Sequence, residues 1–228
     1  MQEPNGVEKV MHFHQRTTLL LVFWMIMSVL LGTIFYSYDS AIVIGLNKQR
    51  SPFWDVIWLN LSKSAGIISY SVASLSLIMI FVTKCKAYKF RYLAIIATAT
   101  TSAIMVTAIK YAVRRVRPFH QFVDIHKLGP GGGFSYPSGH TCDAFFLATI
   151  LALLFPRRTT LIMVTYCWAI LVSASRLYLG VHYPSDIFAG IAVSSTMAFL
   201  SFLAVQRLAL KSGIQLPELR TLRSVKIS

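Results

Sequence analysis

A chain of 228 residues that is 55% hydrophobic and only 13% charged, with a mean hydropathy of +0.61, holds more apolar surface than one compact core can hide. Soluble domains carry about 25% charged residues, so part of this chain's solvent is lipid. Its 22 Lys and Arg against 8 Asp and Glu would suggest nucleic acid in a soluble protein, but no basic run is interleaved with aromatics as such a site requires, so the excess reads as membrane topology and contact with anionic headgroups.

Six apolar segments follow in order. Residues 1–16 are polar and unlike a signal peptide; the first span, Thr17 to Tyr38, lacks a small-residue cleavage site and is expected to stay as an anchor. Between Asp39 and Lys63, Ser51-Pro52 followed by Asp55 marks a helix start, and Trp54 and Trp58 predict a short interfacial helix at the headgroups. The second span runs from Ser64 to Thr83 and the third from Tyr92 to Ile109. A glycine-rich loop, Arg114 to Tyr136, leads to a fourth, Thr141 to Phe155. The turn Pro156-Arg157-Arg158 makes the fourth segment an antiparallel neighbour of the fifth, Thr159 to Ala174; the sixth is Ile187 to Val205. A span needs about 20 residues, so segments four and five are expected to extend into Ser138–His140 and Ser175-Arg176.

The expected fold is therefore all-α, an integral membrane bundle of six transmembrane helices with a short interfacial helix. It forms a single domain over 1–228, with no internal repeat, and cytoplasmic tails at 1–16 and 207–228. Cytoplasmic termini place 13 basic residues inside and 9 outside, the bias that the positive-inside rule requires. The cluster from Lys110 to Arg117 violates that rule and needs another reason to be there. Cys85, Cys142 and Cys167 are odd in number and unrelated in spacing, so no disulfide is expected.

Antiparallel threading brings the ends of segments three to six to one face of the membrane. In "KYAVRRVRP", Lys110 and Arg117 lie seven apart and share a helical face if the helix continues that far, with Arg114 on the same side; Pro118 is expected to end it. In "YPSGH", Ser138, Gly139 and His140 stand at a helix N-terminus, where free N–H groups and the dipole favour an anion. In "SRLYLGVHYPSD", His182 and Asp186 lie four apart, so on a helix starting near Pro184 the carboxylate can hold one ring nitrogen and leave the other free as a nucleophile. Each group alone has a bland reading as flank, cap or structural pair. Two histidines, a carboxylate and several cations at one helical mouth do not.

The joint pattern resembles the three-part signature of the type 2 phosphatidic acid phosphatase superfamily: Lys110, six residues, Arg117-Pro118; Pro137-Ser138-Gly139-His140; Ser175-Arg176, five residues, His182, three residues, Asp186. The resemblance covers roughly residues 50–206, with the signature at 110–186. It implies that His182 attacks phosphorus, that Asp186 fixes its tautomer, and that His140 protonates the leaving oxygen and then activates water. Lys110, Arg117, Ser138, Gly139 and Arg176 would bind the phosphate, with no metal and no cofactor.

The physical case stands beside the name: a phosphoryl group in transfer is stabilised mainly by positioning and positive charge, and guanidinium groups bind oxygen pairs bidentately. The expected partners are a lipid phosphate and membrane lipids, with no nucleic acid and no obligate protein partner. Undecaprenyl pyrophosphate, phosphatidylglycerophosphate, phosphatidate and lipid A 1-phosphate all fit. The expected address is a bacterial inner membrane with the site facing the periplasm. Phosphotransfer to a second lipid, or a scaffold that only binds anionic lipid, are the alternatives. Two features stay open: "GPGGG" reads as a hinge or as a plain connector, and Asp143 as a favourable charge early in its helix or as a partner of a site cation.

Overall fold

The computed structural model describes residues 6–214, among which every regular element is a helix and there is no strand. The helices are α1 (Gly6–Tyr36), α2 (Asp39–Lys48), α3 (Pro52–Val82), α4 (Lys86–Val113), α5 (Pro118–Gln121), α6 (Gly139–Leu154), α7 (Thr159–Tyr178) and α8 (Pro184–Lys211). Among the described residues, four stretches are long and apolar enough to cross a bilayer, containing α3, α4, α7 and α8; the pair Val22–Tyr36 and Asp39–Lys48, bent by 75°, makes a fifth if it counts as one span. The fourth expected segment forms α6, which has 16 residues, short of the ~20 that cross alone. Length and composition thus give four or five spans, and the chain is a multi-pass membrane protein.

Two expectations about the connections are corrected. No separate interfacial helix forms: Pro52 opens one unbroken helix of 31 residues. At about 1.5 Å per residue this outruns a hydrocarbon core of about 30 Å, and the tryptophan-bearing first turns are continuous with the span rather than a helix of their own. The residues after Asp39 form α2 rather than a loop. Residues 6–16 and 207–211 are helical, as parts of α1 and α8; the other residues of the expected tails, 1–5 and 215–228, lie outside the described residues.

Packing explains how short segments make a precise site. Helix α8 lies against α1, α4 and α6, and α6 also packs on α3, α4 and α7. Small residues allow this: Ala65, Ala144, Ala148 and Ala169 join Phe145, Val172, Ile187 and Ile191 in one buried cluster, the close approach that membrane helices use in place of a hydrophobic driving force. A Cβ on Gly190 would stand 3.0 Å from the Ser138 carbonyl oxygen, so glycine there lets α8 meet the start of α6. Outward faces carry Phe23, Ile26, Ile67, Phe81, Ile104 and Val164, as a lipid-facing surface should.

The exit from α7 is fixed by Gly180. Its φ of +68° suits glycine, and an added Cβ would fall 2.5 Å from Ile125 and 2.9 Å from the Asn47 amide nitrogen. Asn47 meanwhile accepts from the His126 N–H at 2.9 Å and donates to the carbonyls of His126 and Tyr178. This clasp holds the turn that leads directly to His182.

Candidate active site

Helix α4 stops earlier than its sequence suggests. Its last residue is Val113, and Arg114 takes a left-handed conformation with φ 52°, an uncommon state for a residue with a side chain. Arg117 therefore does not share a helical face with Lys110; the chain turns and re-enters the site. Pro118 begins α5 rather than ending α4. The expectation for Arg114 fails for the same reason: it is exposed, and its Nε donates to the Tyr111 carbonyl just behind it. Arg115 turns inward in its place.

The other two motifs meet directly. Ser138 caps α6, and its N–H donates to the Asp186 carbonyl at 3.0 Å, pinning the start of α6 to the first turn of α8. His182 Nδ1 lies 3.3 Å from Asp186 Oδ2, which also accepts the Tyr183 N–H at 3.0 Å. On the far side of the ring, Arg117 Nη1 lies 3.2 Å from His182 Nε2. A guanidinium only donates, so Nε2 must be the acceptor and the proton must sit on Nδ1, facing the carboxylate. The imidazole is thus held in the tautomer whose free lone pair points among the cations. His182 is 1% exposed, and its pKa lies well below 6.5, first because burial disfavours the imidazolium and then because Arg117, Arg176, Lys110 and His140 repel it. Near neutral pH it is uncharged.

Three cations line that lone pair's side, and none has a carboxylate of its own among the described residues. Lys110 donates to the carbonyls of Phe134 at 2.9 Å and Pro137 at 2.7 Å. Arg117 donates to the carbonyls of Gly132, Gly133, Phe134 and Val181. Arg176, 1% exposed, donates to Ser62 Oγ and to the Pro130 carbonyl, while its Nε finds no partner among the described residues. A buried cationic donor left unsatisfied is costly. The glycine-rich loop does more than connect: its carbonyls accept from Lys110, Arg117 and Arg176 and hold them in place.

Ser138 is fully buried and accepts from Thr141 Oγ1 at 3.0 Å; Gly139 is the first residue of α6, with its neighbour His140 half-buried. Asp143 turns away: its carboxylate accepts from Tyr70 Oη at 3.2 Å and its carbonyl from Ser69, so it ties α6 to α3 and pairs with no site cation. Cys85, Cys142 and Cys167 are unpaired thiols. Among the described residues no three His, Cys, Asp or Glu side chains gather as a metal site.

The predicted residues Lys110, Arg117, Ser138, Arg176, His182 and Asp186 thus converge, with Gly139 and His140 beside them. Missing from the sequence reading were Arg115, whose Nη1 reaches Asp186 Oδ1 at 2.8 Å, and Asp39, which Arg115 Nη2 meets at 2.6 Å. The repeated arginines of "RRVRP" were a signal for the first; nothing in "YSYDS" marked the second.

Known proteins resemble this chain in sequence and in fold. The sequence pattern described as PAP2 superfamily matches residues 91–209, which include every motif above. Lipid A 4'-phosphatase of Bacteroides thetaiotaomicron is 31% identical over 179 residues, covering 75% of this chain and 78% of that protein. Phosphatidylglycerophosphatase B of Bacillus subtilis is 27% identical over 194 residues, covering 79% of this chain and 90% of its own length. Among solved structures, the transmembrane PAP2-type phosphatidylglycerolphosphate phosphatase from Bacillus subtilis superposes with a TM-score of 0.64 at 21% identity, over 84% of this chain and 96% of that one; this likeness bears on the fold. With the signature and its geometry in place, the chain belongs to the PAP2 superfamily.

Proposed function

We propose that the chain is a metal-independent phosphatase for a lipid phosphate, working through a phosphohistidine on His182. The observation that carries this is the trio Lys110, Arg117 and Arg176, held by backbone carbonyls rather than carboxylates, around an imidazole lone pair. Nε2 of His182 attacks phosphorus in line and the bond to the leaving oxygen breaks, while His140 supplies the proton that oxygen needs. His140 then takes a proton from water, the resulting hydroxide attacks phosphorus, the P–N bond breaks, and phosphate leaves. Asp186 keeps the Nδ1 proton in place and offsets the charge that develops on the ring. The three cations, with Ser138 and the Gly139 N–H, meet the equatorial oxygens, where charge accumulates in the transition state.

The substrate is a phosphate whose remainder stays in lipid, because the site lies at the ends of apolar helices. Its similarity to a lipid A phosphatase and to a phosphatidylglycerophosphatase supports that class, and the site geometry is equally suited to undecaprenyl pyrophosphate and phosphatidate. Helix α6 serves as the sixth span, completed by the polar residues at its ends, so that both termini are cytoplasmic and the site faces the periplasm of a bacterial inner membrane. The 13-to-9 split of basic residues supports that orientation.

The test is phosphate release by purified protein from these lipids in detergent micelles containing EDTA. Release from at least one of them, inhibited by vanadate and unchanged by added magnesium, is expected. A strict need for magnesium would overturn the mechanism.

A further inference from the structure

Behind Asp186, on the side away from His182, lies a second shell of charge that the phosphatase reading does not use. Asp39, at the first residue of α2, is 2% exposed. Its Oδ1 accepts the Ser185 N–H at 2.9 Å, and its Oδ2 accepts from Ser185 Oγ and from Arg115 Nη2. Arg115 uses its other nitrogen, Nη1, for Ser185 Oγ at 2.6 Å and Asp186 Oδ1 at 2.8 Å. The plane of the guanidinium group is kept in register by Tyr183, whose ring centroid lies 4.0 Å from Cζ, with Tyr36 on α1 at 5.2 Å. The arginine is therefore a rigid fork with one carboxylate on each tine.

Fork geometry matters because a buried carboxylate is held in one orientation only if both oxygens are engaged. Asp186 Oδ2 faces His182 and the Tyr183 N–H; Oδ1 is engaged by Arg115. Without Asp39, the Arg115 charge would fall wholly on Asp186 and weaken the grip of that carboxylate on the ring. Asp39 lies outside the stretch that matches the superfamily pattern, residues 91–209, so the matched region alone would not assign it a part in the site.

We propose that Asp39 and Arg115 are positioning residues of the reaction, a charge relay through which the α1–α2 elbow orients Asp186 against His182. The proposal rests on the phosphatase reading. It makes the order Asp39, Arg115, Asp186, His182 alternate in sign up to the neutral ring. The groups that face His182 are Lys110 and Arg117 after α4, Arg176 on α7, His140 on α6 and Asp186 on α8. Those facing the relay are Tyr136, Tyr183 and Tyr36. Asp39 and Arg115 can be changed without replacing a residue of the phosphate cup.

The test uses the full chain in detergent with whichever lipid phosphate the wild type hydrolyses best, and reads kcat, KM and the acid limb of the kcat/KM pH profile. That limb reports the free enzyme's base. Asp39→Asn keeps the shape and the acceptor but leaves Arg115 uncompensated, so the imidazolium becomes harder to form and the limb moves to lower pH. Arg115→Met frees the Asp186 charge to act on the ring, and the limb moves to higher pH. Shifts of about one unit are expected, with kcat down about 10- to 100-fold and KM within about threefold of wild type. Arg115→Lys, which keeps the charge without the fork, should leave the limb in place while kcat still falls.

If Arg115→Met does not yield folded protein, the Asp39→Asn limb decides alone. Variants that lose only yield or melting temperature, with the wild-type kcat and pH profile per folded molecule, overturn the relay and leave the phosphatase reading intact. Absence of phosphate release by the wild type, or full activity of His182→Ala, removes the phosphatase reading and the relay with it.

Discussion

His182→Ala should lower phosphate release by about 10⁴-fold or more, the scale seen when a nucleophile that forms the covalent intermediate is removed. The expectation follows from how the ring is held. Its Nδ1 is committed to Asp186 and its Nε2 lies among Lys110, Arg117 and Arg176, so no neighbouring group can take over at the same point. His140 stands in the same cluster and provides an internal comparison. His140→Ala leaves the nucleophile in place, and its defect should shrink for substrates whose leaving group needs no proton, such as p-nitrophenyl phosphate. The defect of His182→Ala should not shrink. Parallel assays of both variants on a lipid phosphate and on the activated ester measure this directly.

Asp186→Asn should cost about 10³- to 10⁴-fold in kcat with little change in KM, for a reason that charge alone does not give. An amide NH₂ facing Nδ1 would donate, so the ring would carry its proton on Nε2 and the attacking lone pair would be lost; the same wrong-tautomer effect costs about 10⁴-fold in the serine-protease triad. Asp186→Glu, which keeps the acceptor but misplaces it, should retain more activity than Asp186→Asn. Here the side chain is buried completely and Arg115 occupies its other oxygen, so the amide would also face Arg115 with a weaker acceptor. Both variants are compared by steady-state kinetics at the wild-type optimum.

The three motifs were legible in the sequence because their chemistry is local. A helix N-cap with glycine behind it, a proline-opened helix with an acid in its first turn, and a histidine four residues before that acid each fix a geometry within one or two turns. Antiparallel threading then sufficed to bring them to one membrane face. What was illegible depended on a single backbone state or on distant packing. The left-handed residue at Arg114 carries no sequence mark, since neither glycine nor asparagine stands there. Yet it ends α4 before Arg117 and decides that Arg115, not Arg114, reaches the site. Asp39 could not be read either, because its partners Ser185 and Arg115 lie 146 and 76 residues away. The interfacial helix merged with its span because no breaker separates Pro52 from Ser64; the tryptophans signal depth in the membrane, not a boundary.

The glycine-rich loop illustrates a subtler limit. Its composition suggests mobility, and a sequence offers only side chains as candidate ligands. Here the working atoms are main-chain carbonyls, those of Pro130, Gly132, Gly133, Phe134 and Pro137, which hold Lys110, Arg117 and Arg176. Carbonyls orient a cation without neutralising it, whereas a carboxylate would cancel the charge that the phosphate needs. A site built for an anion therefore uses backbone where a stability-driven ion pair would use Asp or Glu.

Everything depends on one covalent event at a buried, uncharged imidazole. Rapid alkaline quench of wild-type protein turning over a ³²P-labelled lipid phosphate, followed by peptide mapping, observes it most directly. An acid-labile, alkali-stable label confined to the peptide containing His182, and missing from His182→Ala, is the outcome expected. Label recovered on a different side chain while turnover proceeds would contradict it.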